Sequence, residues 1–240
     1  MVAPEAISGS KSEDPITKIR NGFELVEDFI TFDPASTYIG KYFRKVVSGT
    51  GAQVSDGNAS NDEQFGLINL ETGTTSTGFC QIITSDVNEI ELGAFTIAKL
   101  EMSMDIDNLS TPTERYVIVM GFHDASGGVP VDGVYFEYSE SSSPNWKLVA
   151  KNNSVATTVT SSIAADATTG INHIFTIIVT NGIKADFYID GVLAGTITTN
   201  IPATRDTTIS AYIVKTVGTT NRFMTFDYIA GYGRWANQRH

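Results

Sequence analysis

The chain has 240 residues, 41% apolar and 18% charged, with a formal net charge of −11 and a sequence pI of about 4.6. That composition excludes a disordered polyelectrolyte and supplies a core sufficient for one all-β domain of this length. The acidity sets the average surface against phosphate backbones and anionic headgroups, so neither nucleic acid nor a membrane is an expected partner.

Residues 1–22 are polar, hold two prolines and show no period, so they are expected to form an extended N-terminal arm ahead of a domain spanning 23–240. No apolar segment follows a basic start, and neither a signal peptide nor an anchor is expected. From Phe23 on, short runs rich in Val, Ile, Phe, Tyr and Thr alternate with clusters of Gly, Asn, Asp, Ser and Pro. "FELVEDFITF" and "YIGKYFRKVV" open the series, and the basic Lys41, Arg44 and Lys45 of the second suit a solvated strand face. The loop from Asp56 to Asp62, "DGNASND", offers oxygen ligands but lacks the spacing of an EF-hand; whether it holds a metal is left open by the sequence. Sequons occur at Asn58, Asn108 and Asn152, without an export signal to give them a role.

"QFGLINL" and "GFCQIIT" follow. Cys80 is the only cysteine, which excludes an internal disulfide and a cysteine-based zinc cluster and leaves a small buried hydrophobe. "AKLEMSMDID" alternates cleanly: Ala98, Leu100, Met102, Met104 and Ile106 share one face, while Lys99, Glu101, Ser103, Asp105 and Asp107 share the other. A carboxylate pair on one strand face is the raw material of glycoside hydrolysis, but a solvated polar face needs the same residues. "RYVIVMGF" is apolar on both faces, "DGVYFEYS" alternates again, and "NWKLVAK" brings Trp146, which with Tyr135 or Tyr138 could stack on a sugar if exposed. "SSIAADATTG" suggests one short turn of helix.

"HIFTIIVT" leads into "KADFYIDGVLAGTITTNIP", where Asp190-Gly191 joins two alternating runs. A type I′ turn needs positive φ at both central residues, so turn chemistry accounts for Asp190 without a ligand. "TTISAYIVKTV" and "RFMTFDYIAGY" complete a dozen or more strands. His123 and His173 are far apart in the chain, lack metal-ligand spacing and read as structural. The tail, with Arg234, Trp235, Arg239 and His240, either frays or packs on a neighbouring subunit. Many strands, almost no helix and no repeat leave an antiparallel sandwich or a closed barrel.

From Gly121 to Gly231 the order of "GFHD", "GVYFEY" followed by a Trp strand, "HIFTI", "FYIDGVLAGT" with its trailing proline, and "FDYIAGY" resembles the concanavalin A-like jelly roll of tailed-bacteriophage structural proteins. The resemblance implies an all-β, antiparallel β-sandwich. Lectins and glucanases share that fold, and the glucanase signature is Glu-x-Asp-x-Glu on a strand. Here "EMSMD" puts Ser103 where the aspartate belongs, so no catalytic residue is assigned and the chain is expected not to be an enzyme. No cofactor or metal ligand is assigned, and the ligand-binding residues are unknown. The resemblance implies a virion protein assembled in the host cytoplasm, of the capsid decoration, cement, head-fibre or knob type. Its expected partners are other virion proteins and further copies of itself, with a host surface glycan as the partner of the other reading, a carbohydrate-binding module of a tail or surface fibre.

Overall fold

The computed structural model describes residues 22–30, 33, 35–57, 66–84, 90–139, 143–167 and 172–237. Residues 1–21 of the expected arm, all but two residues of the Asp56 to Asp62 loop, and Arg239 and His240 lie outside them, while Gly22 opens the first strand. Among the described residues, sixteen strands form two eight-stranded antiparallel sheets. In chain order they are β1 (Gly22–Glu27), β2 (Tyr38–Ile39), β3 (Phe43–Ser48), β4 (Gln53–Asp56), β5 (Ile68–Glu71), β6 (Phe79–Thr84), β7 (Phe95–Ile106) and β8 (Arg115–His123). The second half comprises β9 (Gly133–Ser139), β10 (Ser143–Asn152), β11 (Val155–Ala164), β12 (His173–Thr180), β13 (Lys184–Ile189), β14 (Val192–Ile197), β15 (Thr208–Val217) and β16 (Phe223–Trp235).

One sheet runs β14-β13-β12-β7-β16-β5-β4, with β1 also on β16; the other runs β11-β10-β9-β8-β15-β6-β3-β2. The long β16 serves two partners along one edge: Phe223 to Phe226 pair with β5, and Ile229 to Arg234 pair with β1. Consecutive strands joined by tight turns remain neighbours, while β7, β15 and β16 cross the molecule to take central places.

The core lies between the sheets because alternate side chains of each strand point there. On β7, Ala98, Leu100, Met102, Met104 and Ile106 are buried, and Phe136, Phe175 and Phe187 meet them with edge-to-face rings 5.2 Å apart. Each such side chain removed from water contributes about 1.5–3 kcal/mol.

β8 is apolar on both faces for a visible reason. Ile118, Met120 and Phe122 face the core, while Val119 packs outward with Phe79, Tyr135, Val149 and Tyr212 in a second cluster on the far side of its sheet. Gly121 sits within that sheet where a Cβ would come 2.5 Å from the Val134 carbonyl oxygen, so the close approach of β8 and β9 requires glycine here.

The short helix expected at "SSIAADATTG" is not formed over the described part of that stretch. Ser161 to Ala164 instead finish β11, held by pairing with β10, because an edge strand of β-branched and hydroxyl residues gains more from the ladder than from one helical turn. Among the described residues the helical structure is one 3-10 turn, Leu92–Ala94.

Candidate functional site

The outer face of the first sheet gathers the polar residues that alternation turned away from the core. Register places Glu101 between Thr176 of β12 and Ala230 of β16, Ser103 between Ile174 and Tyr228, and Asp105 beside Thr225. A bulge in β16 at Asp227 brings its carboxylate within 3.4 Å of the Ser103 hydroxyl. Glu101 accepts from the Lys99 ammonium at 2.8 Å on one oxygen and from the Tyr228 phenol at 2.8 Å on the other. The Lys99 bond holds the Glu101 carboxyl below its usual range. Burial and the bond to Glu101 push the Tyr228 phenol up to about 12. Further along the face, Asp186 accepts from Thr196 at 2.6 Å and pairs with Lys184 at 2.6 Å.

Glu101 and Asp105 therefore do share a face, with Ser103 between them, while Asp107 lies just past the strand, its amide donating to the Phe223 carbonyl at 3.3 Å. A general acid for glycoside cleavage needs a carboxyl that keeps its proton near neutrality. Glu101 is tuned in the opposite direction.

The residues singled out for stacking on sugars sit elsewhere. Trp146 is 2% exposed, wedged against Phe175 with ring centroids 4.7 Å apart, and Tyr135 and Tyr138 are buried. Trp146 and Tyr138 fall on the inner side of their strands, and Tyr135 belongs to the apolar cluster on the outer side. The aromatics available on the polar face are Tyr188 and Tyr228, both half-buried, and the exposed Tyr232.

Of the histidines, His123 is sealed between the rings of Tyr135 and Tyr212, and burial pushes its imidazole down to about 3. His173 behaves differently. It begins β12, and Asp190, at φ +51° in the turn after β13, reaches back to it with a 2.6 Å contact from Oδ2 to Nδ1. The other oxygen of Asp190 accepts the Ile174 amide at 2.8 Å. Asp190-Gly191 is thus the expected type I′ turn, with φ of +51° and +74°, and its carboxylate also orients a histidine. A signal for this is present in the sequence: Asn181-Gly182 is another positive-φ turn, and folding β12 onto β13 there sets Ile174 opposite Asp190. His173 and Asp190 line a small cleft of about 40 Å³ at the end of the sandwich.

Cys80 is buried, its thiol pushed up to about 12 by burial and its Sγ 3.0 Å from the Gln53 carbonyl oxygen. Lys41 lies over its neighbour Tyr42, and Arg44 donates to Ser126 at 3.4 Å. Trp235 of the tail stacks on Phe95 of its own chain at 4.3 Å. Among the described residues no three His, Cys, Asp or Glu side chains converge as a metal site.

Among solved structures, the protein of unknown function SO2946 from Shewanella oneidensis MR-1 superposes with a TM-score of 0.66 at 16% identity, covering 100% of this chain and 99% of that one. The Bacillus licheniformis beta-glucanase gives 0.54 at 13% identity, covering 87% and 97% of the two chains. The carbohydrate recognition domain of Emp47p gives 0.56 at 7%, covering 89% and 97%. At these identities the likeness is one of fold, the concanavalin A-like jelly roll of lectins and glucanases. No curated protein matches the sequence. A family model described as SO2946-like, C-terminal domain, matches residues 63–227, most of the chain, and the protein therefore belongs to that family.

Proposed function

We propose that this protein is a non-enzymatic carbohydrate-recognition module whose sugar-facing surface is the outer face of the sheet built around β7. The observation that carries the reading is the bonded group of Lys99, Glu101 and Tyr228 on that face, with Ser103 and Asp227 next to it. Fixed carboxylate, ammonium and phenol groups on a rigid sheet present the donors and acceptors that sugar hydroxyls need, at little ordering cost. The half-buried Tyr188 and exposed Tyr232 supply ring surface beside them. Ser103 in the middle of "EMSMD" and the lowered Glu101 carboxyl speak for binding without cleavage. The carbohydrate recognition domain of Emp47p and the beta-glucanase among the neighbours support a saccharide ligand by analogy of fold.

The test is a glycan array read with the intact chain, with Glu101→Gln and Tyr228→Phe beside it. Retention of a glycan that weakens about tenfold in each variant supports the face. No retained glycan, or retention indifferent to both changes, overturns it. Release of reducing ends from β-glucans would overturn the non-enzymatic part alone.

The setting we infer is the surface of a bacteriophage particle, as a decoration, cement, head-fibre or knob protein working as a homo-oligomer. It is supported by the jelly-roll blocks from Gly121 to Gly231, which carry the resemblance to phage structural proteins. A β-rich, low-charge chain with one buried cysteine also suits a particle assembled in a host cytoplasm and then released. Mass spectrometry of purified particles tests it, and absence of the chain from them defeats it.

A further inference from the structure

β11 closes its sheet, and no described strand pairs with the side of its backbone away from β10. Its type I′ turn, with Asn153 and Ser154 at φ +48° and +69°, joins Asn152 and Val155 as a hydrogen-bonded pair. Alternation then sets the backbone groups of Val155, Thr157 and Val159 against β10 and turns the N–H and C=O of Ala156, Thr158 and Thr160 to the open edge. The other sheet edges are blunted: β2 and β4 have two and four residues, β1 carries Glu24 and Glu27, and β14 is interrupted by a bulge and Gly195. β11 has ten residues without proline, glycine or charge. It is also held in place, since the Thr157 hydroxyl meets that of Thr199 at 2.7 Å and accepts from the Asn200 amide at 2.9 Å.

We propose that β11 is the contact between two copies of this chain, the two strands pairing antiparallel about a two-fold axis at Thr158 and joining their sheets into one. This rests on the homo-oligomer inferred above and gives it a surface. The register puts Ala156 of one copy opposite Thr160 of the other, so the open residues of each strand exchange both backbone bonds with the other strand. Charge selects the occupant. A chain of net charge −11 repels its own copies over most of its surface, whereas Asn152 to Ala165 holds no charged residue and offers a charged partner nothing to pair with. Ala156, Thr158, Thr160 and Ser162 make an outer row of small side chains, and the two Thr158 side chains are neighbours at the axis. β14 lies against β11 on the same flank, where Gly195 faces Val159, and its exposed Val192 and Leu193 add apolar surface to what a strand pair alone buries.

The test is sedimentation velocity of the full chain over a range of concentrations, beside Thr158→Pro and Thr158→Lys. Proline removes one outward N–H and leaves the ladder with β10 intact, and lysine sets like charges at the axis; each is expected to weaken the dimer at least about tenfold. Should the proline variant not fold, the lysine variant, changed at an exposed side chain, carries the test. Thr158→Cys is expected to cross-link on mild oxidation, since residues directly opposite lie about 5.5 Å apart, while Ala156→Cys sits about 14 Å from its counterpart and is expected not to. A monomer at every concentration overturns the proposal and leaves the edge to an extended segment of another protein. A dimer indifferent to both Thr158 variants keeps the homo-oligomer and overturns this surface, and equal cross-linking by both cysteines overturns the register. Neither glycan nor particle enters the test, so its failure and that of the sugar-facing surface are read separately.

Discussion

The outer faces of the two sheets come from the same alternation and end up opposite in character. On the sheet around β8 the outward residues Val119, Tyr135, Val149 and Tyr212 close over one another, and Gln81 ties the face to the following loop through Ala125 and Gly127. On the sheet around β7 the outward residues are Glu101, Ser103, Asp105, Thr176 and Tyr228, bonded among themselves and with their neighbours. The apolar face contributes mainly stability. The polar face gains little from its ion pairs, which sit near the surface, and its value is a fixed pattern of donors and acceptors.

The largest test of that contrast is Tyr212→Ala. Tyr212 is 3% exposed and packs on Phe79 and His123, so its loss is expected to cost about 3–5 kcal/mol in chemical denaturation. Next comes acid. His123 is held near 3 in the fold against 6.5 as a free group. Its contribution is therefore complete above pH 6.5 and falls by about 1 kcal/mol per pH unit as the unfolded state takes up the proton, down to about pH 3. His123→Leu should flatten the denaturation midpoint over that window, and an unaltered pH profile would show the imidazole to be solvated. Lys99→Ala, on the polar face, is expected to change stability by less than about 1 kcal/mol while weakening glycan retention. Asp190→Asn should be smallest of all, a few tenths of a kcal/mol, since asparagine also accepts the left-handed turn conformation. A thermal shift beyond that would mean the His173 contact matters for folding as well as for the cleft.

The strands with a clean period are legible in the amino-acid sequence. β7 divides into core and outer faces residue by residue as its letters do, and the Asp190-Gly191 turn has the φ values its composition demands. β11 is not legible in the same way. "VATTVTSSIA" places hydroxyl and β-branched residues on both faces of an edge strand, so no apolar alternation marks it, and most of it is exposed. The letters around Trp146 do not place it inside or outside, because its direction depends on β10's register. The pairing of His173 with Asp190 is carried by the turn between β12 and β13 and not by either stretch alone, where each residue has a sufficient local explanation.

That hairpin measures a length. The turn at Asn181 and Gly182 fixes how far β13 runs back along β12, and so which residue arrives beside the first imidazole of β12. One residue inserted there would preserve both strands and both side chains, yet the carboxylate would stop short or overshoot and present to the other face. The turn is a ruler as well as a link: the composition of the cleft is written in β12 and β13, and its assembly is written in the three residues, Asn181 to Ile183, that count the distance between them.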